Sequence, residues 1–157
     1  MKDYLTFFRE SYDRAMANES HPDEFLEAFY DNFTSKSDAI AHQFAATDMQ
    51  RQKKMLAMSL QHMVDFSVQR LASDDLRRIA ERHSKTQLDV DPGFYDMWLD
   101  SLIETVHLFD VRFTEEVELA WRVILAPGVA YMKFKYNKPA INELVGASAA
   151  TLDDIVD

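Results

Sequence analysis

Ser73-Asp-Asp-Leu-Arg-Arg-Ile-Ala-Glu-Arg-His-Ser-Lys85 reads as one helix. Ser73 is a good N-cap, and Asp74 and Asp75 set negative charge on the positive end of the helix dipole. Arg82 and Lys85 fall in the last turn, where positive charge is favoured. Leu76, Ile79 and Ala80 have the i, i+3, i+4 spacing of a buried stripe, and the next position on that stripe is His83. An imidazole aimed into a core needs a buried hydrogen-bond acceptor, a metal, or the iron of a cofactor. What lies opposite His83 decides among these.

Working outward, helical segments follow one another with no alternating pattern between them, so the fold class is all-α. Upstream, Thr47-Asp-Met-Gln50 has the capping-box spacing and opens a long helix to about Val68. Its stripe is Met49, Leu56, Leu60 and Met63, and Gln52 falls inside it. Before it come a short corner, Ser35 to Phe44, and a helix with Phe25, Leu26, Phe29, Tyr30 and Phe33 inward. Ser20 and Pro22 are placed to start that helix. The first helix, about Lys2 to Met16, carries Tyr4, Leu5, Phe8, Tyr12 and Met16 on one side.

Downstream of His83, Pro92 opens a helix with Phe94, Tyr95, Trp98, Leu102, Ile103, Val106 and Phe109 inward. Thr114-Glu-Glu caps the last long helix, with Val117, Ala120, Trp121, Ile124 and Leu125 inward and a kink expected at Pro127-Gly128. Residues 1–136 form one domain. Residues 137–157 read as a loosely attached tail, with one short helix at Pro139 to Leu144.

Composition narrows the chemistry. Hydrophobic residues are 47% of 157, enough for a packed core. No cysteine is present, which removes disulfides, thiolate metal sites and thioether attachment of a cofactor. A net charge of −10 argues against nucleic acid and anionic membrane as partners. No apolar run is long enough to span a bilayer, and Met-Lys-Asp-Tyr-Leu lacks a signal-peptide core, so a cytoplasmic location is expected.

Four polar or aromatic residues interrupt the apolar faces: Tyr30, Gln52, His83 and Tyr95. A buried hydroxyl and a buried amide cost about 1–3 kcal/mol each unless satisfied. They can satisfy each other or donate to something held between them.

The order and spacing of these residues resemble the globin family, especially bacterial single-domain globins, the globin part of flavohaemoglobins and globin-coupled sensors. Phe44, then a short stretch and a helix with Gln52 and Leu56, looks like the family's corner phenylalanine and distal helix. Phe29-Tyr30, ahead of Phe44, matches the distal tyrosine of bacterial globins. Ile79-Ala-Glu-Arg-His83 looks like the proximal-histidine segment, and Val90 with Phe94-Tyr95 like the loop and helix after it. Phe113-Thr-Glu-Glu-Val-Glu-Leu-Ala-Trp121 resembles the opening of the family's last helix.

The resemblance implies a globin fold of six to eight helices around haem b, iron protoporphyrin IX. His83 would be the iron ligand. Phe44, Met55, Leu56, Ile79, Val90, Tyr95 and Trp98 would contact the porphyrin, and Lys53, with Arg51 and Lys54, its propionates. Tyr30 and Gln52 would line the distal side and donate to O2, with NO and CO as further ligands. The partners implied are a separate reductase, for NO dioxygenation, or a signalling protein; the chain would be a monomer or homodimer. One departure is the absence, in Val129 to Tyr136, of the glutamate that completes the proximal hydrogen-bonded chain of flavohaemoglobins.

Overall fold

Apolar stripes on successive helices can be buried only against one another, and the last helix is the spine on which they close. The computed structural model describes residues 1–17 and 23–138. In chain order its helices are α1 (Tyr4–Met16), α2 (Glu24–Ser35), α3 (Asp38–Gln43), α4 (Met49–Gln69), α5 (Asp74–Arg82), α6 (Phe94–Phe109) and α7 (Glu115–Lys135). No strand occurs among the described residues. α7 packs on α1 and α4, and α2 packs on α6.

Two polar contacts tie α1 to the rest of the core. The indole N–H of Trp121, a fully buried ring, donates to Ser11 Oγ at 2.9 Å. Phe8 lies 4.5 Å from the same ring. At the α6–α7 corner the side chain of Asp110 is sealed from solvent and takes both Arg14 Nε (2.5 Å) and Nη2 (3.0 Å). Burying a large aromatic or aliphatic side chain contributes about 1.5–3 kcal/mol, so the Phe8–Trp121 pair is a major tie between the chain's two ends.

Several sequence-based boundaries move. Asp48, not Thr47, caps α4: its carboxylate accepts from the N–H groups of Gln50 and Arg51. A carboxylate one residue nearer the first turn outcompetes the threonine hydroxyl. α1 begins at Tyr4 behind an Asp3 cap, and Tyr4 is exposed, not inward. α6 starts at Phe94, two residues past Pro92, because Asp91 first holds the Gly93 N–H in a turn. α7 runs through Pro127. The roles expected of Ser20, Pro22 and the Pro139 to Leu144 helix fall outside the described residues.

Candidate functional site

α5 forms as its sequence dictates. Ser73 Oγ accepts from Leu76 N–H, and Asp74 and Asp75 pair with Arg77 and Arg78 one turn on. Leu76 and Ala80 are buried, so the helix presents its end to the core. His83 is the C-cap, its own N–H donating to Ile79 O. The chain then folds back over it. Leu88 N–H donates to Arg82 O, Asp89 N–H to Ser84 O and Val90 N–H to His83 O, with Asp89 in the left-handed region at φ 50. Asp89 is one of the residue types that tolerates this conformation. A side-chain bond from the Tyr136 hydroxyl to Asp89, and Lys85 N–H to Tyr136 O at 3.0 Å, tie this loop to the end of α7.

This frame fixes the imidazole. Its Nδ1 lies 2.7 Å from Ile79 O, so Nδ1 carries the proton and Nε2 keeps the lone pair. Nε2 has no partner among the described residues. Desolvation, with a smaller push from the Arg82 charge, holds the ring's pKa below its ordinary value against the Ile79 bond. The ring is therefore neutral and ligand-ready at neutral pH.

The second half of the site comes from α2 and α4. Tyr30 is 5% exposed, and its hydroxyl accepts from Gln52 Nε2 at 3.1 Å. The same hydroxyl reaches the main-chain carbonyl of Gln52 at 3.5 Å. Burial pushes the phenol up to about 12, with the Gln52 bond opposing, so it stays protonated. Thr34 Oγ1 bonds Tyr30 O and steadies the turn that carries it. Phe44 packs edge-on to Tyr30 at 5.6 Å, and Phe29 links the group to Trp98 at 6.3 Å.

Tyr30, Leu56 and Tyr95 lie in the buried core cluster, and Phe44, Ile79, Val90 and Trp98 pack against it. Met55, by contrast, is exposed. Burial also raises the Tyr95 phenol. Two concavities formed by described residues, about 560 Å³ around Lys2 and Arg112 and about 720 Å³ around Val68 and Pro127, lie elsewhere.

Lys53 sits deeper than its charge alone suggests. Its charge suits a rim, yet it is 7% exposed and shares the inner face of α4 with Leu56 and Leu60. The three- and seven-residue spacings to those leucines carried the signal. Among the described residues it has no carboxylate within ion-pair distance, and no buried side-chain nitrogen is left without a partner. Its stem is therefore buried while its ammonium still touches solvent.

The donor set limits the chemistry. No group of three or more His, Asp or Glu among the described residues could hold a bare ion. A single neutral imidazole holds a metal only if a cofactor supplies the other ligands. No helix among the described residues is long and apolar enough to cross a membrane.

No protein-family model matches the chain, and neither does any curated protein. Among solved structures it is similar to protein PA3967 from Pseudomonas aeruginosa PAO1, described as structurally highly homologous to a human hemoglobin. The two are 31% identical over 85% of this chain and 98% of that one, with a TM-score of 0.78. The helix order, the placement of His83 at the end of α5 and a likeness of this extent lead to one statement: the chain belongs to the globin family, in its bacterial form.

Proposed function

We propose that this globin carries haem b on His83 and binds O2 reversibly, with NO and CO as further ligands. The observation that carries the reading is the 2.7 Å bond from His83 Nδ1 to Ile79 O, which leaves Nε2 as a fixed, unpartnered donor. An iron porphyrin bound there would supply four further nitrogen ligands and an open position for a diatomic gas.

The chain's own residues do the rest. The Ile79 carbonyl fixes the imidazole's tautomer and raises its basicity. Phe44, Leu56, Ile79, Val90 and Trp98 supply an apolar shell that excludes water. Tyr30 and Gln52 supply two donors for a polar diatomic ligand. Each is worth about 1–2 kcal/mol, so together they tighten O2 binding by roughly thirty- to several-hundred-fold. NO and CO, less polar when bound, gain less. Lys53, with a buried stem and a solvent-touching ammonium, suits a propionate at the pocket edge, and Arg51 and Lys54 flank it on α4.

The test is the absorption spectrum of the full chain in ferric, ferrous and CO forms, after adding hemin if needed. A Soret band lost in His83→Ala supports the reading. Absence of a Soret band in the wild type after hemin addition overturns it.

A further inference from the structure

We infer that Met55, Met58 and His62, on the outward face of α4, form a site for a cuprous ion. α4 turns Lys53, Leu56, Leu60, Met63 and Val64 to the core. On the opposite side Met55 and Met58 are 45% and 62% exposed, and His62 is half-buried. Methionine ordinarily fills cores, and here two stand side by side in solvent. Packing does not hold them there: neither belongs to the core or to the side chains packed against it. His62 makes no hydrogen bond, ion pair or ring contact among the described residues.

Helix geometry groups the three. At about 100° per residue, Met58 and His62 fall about 60° and about 20° from Met55 around the helix axis, so all three share one narrow sector. Met58 follows Met55 by three residues and precedes His62 by four. At these spacings helical side chains are neighbours, with Cβ atoms about 5–6 Å apart. Side chains lean toward the helix N-terminus, which carries His62 back toward Met58 and Met58 back toward Met55. Each thioether sulfur stands on a flexible, unbranched stem, so the three can close on one ion by rotamer changes alone. No other element has to supply a ligand.

The donor types select the ion. Two thioethers and an imidazole bind as soft, uncharged ligands, a set that suits Cu(I). Ca(II) and Mg(II) need oxygen ligands, and Zn(II) is held by thiolate, imidazole and carboxylate in sets this face does not offer. Thioethers lie outside the His, Asp and Glu groups that provide no metal cluster among the described residues. The surrounding charge is balanced. Arg51 stands one turn before Met55 and Asp65 one turn past His62, with Gln61 Nε2 donating to the Asp65 carboxylate at 3.1 Å. A monovalent ion on neutral ligands fits between charges of opposite sign. The site is separate from the pocket of Tyr30, Gln52 and His83: His62 lies ten residues past Gln52, about 15 Å further along the helix.

The probe is Cu(I) alone, under ascorbate and without oxygen, offered to the full chain with and without hemin. Equilibrium dialysis against a bathocuproine buffer, with copper read by atomic absorption, gives stoichiometry and affinity. Wild type should take one ion per chain in either state, and X-ray absorption of the loaded chain should show sulfur bonded to copper. M58L and H62A should each weaken binding about ten-fold or more, and M55L/M58L should remove the sulfur signal. H107A, on α6, should bind as wild type. Zn(II) should bind about a hundred-fold more weakly than Cu(I). Circular dichroism checks that each variant is folded. No copper on the wild type overturns the proposal, as does wild-type affinity in M55L/M58L or equal affinity for Zn(II). Copper displaced by hemin would put the ion on His83 and overturn it as well.

Discussion

The amide nitrogen of Gln52 lies 3.1 Å from the hydroxyl of Tyr30, and that hydroxyl reaches back 3.5 Å to the main-chain carbonyl of the same glutamine. The second contact is at the limit of a hydrogen bond, so the phenolic proton is weakly held and can be redirected to a ligand. Tyr30→Phe removes that donor without changing ring packing against Phe29 and Phe44. O2 should leave the ferrous protein about ten-fold faster, the equivalent of about 1.4 kcal/mol, while CO release changes little. Stopped-flow ligand replacement reads both. An unchanged O2 off-rate removes Tyr30 from the donor role.

Lys53 tests the pocket edge separately. With its stem buried and its ammonium reaching solvent, Lys53 is placed to meet an anion at the pocket edge. Lys53→Met keeps the stem volume and removes the charge. The chain without hemin should hold its thermal midpoint or gain slightly, whereas hemin transfer to an excess of a second apoglobin should speed up about five-fold, or about 1 kcal/mol. Hemin loss at the wild-type rate would take the lysine away from the propionates.

Much of this arrangement was legible because it rests on local rules. Ser73 as cap, the Asp–Arg pairs of α5 and the inward stripe ending at His83 follow from helix periodicity and dipole charge alone. Tyr30 and Gln52 were legible as polar breaks in apolar faces, and their mutual bond answers the question such breaks raise. What was illegible depends on distance in the chain. The Tyr136–Asp89 contact joins residues 47 apart and has no periodic signature. Thr47 lost its capping role to Asp48 because both fit the start of α4 and the carboxylate stands one residue nearer the first turn.

Arg14 and Asp110 join residues 96 apart and close the fold at the α6–α7 corner. Burial works to raise the Asp110 pKa, but the bonds from Arg14, Ser11 and the Arg112 N–H together outweigh it and hold the carboxyl below its ordinary value. Its contribution is therefore complete above the unfolded-state value near 3.8 and is lost as pH falls below that, toward the lower folded value. Arg14→Ala leaves the carboxylate sealed and uncompensated, which should cost about 3 kcal/mol at pH 7 and move acid unfolding to higher pH. Arg14→Ala/Asp110→Ala should recover part of that loss. Urea unfolding followed by circular dichroism measures each. A double variant no more stable than Arg14→Ala would show that the orphaned charge is not the cause.

Gly128 sets two general rules against each other. In a helix interior, glycine to alanine is favourable by about 0.8–1 kcal/mol, so propensity alone makes Gly128→Ala stabilising. Here a Cβ would stand 2.6 Å from Met63 Cε, 2.8 Å from its Cγ and 3.1 Å from its Cβ. The far methyl can swing away, but Cβ is fixed by the path of α4 and Cγ moves only by a change of χ1 in a packed core, so the side chain must repack or the two helices separate. Overpacking of this kind costs about 1–3 kcal/mol and exceeds the propensity gain. Gly128→Ala should therefore lower the thermal midpoint by a few degrees. Combining it with Met63→Ala should show a favourable coupling, because each change relieves what the other strains. A Gly128→Ala protein more stable than wild type would mean that α4 and α7 are free to move apart, and that the glycine is not what lets them approach.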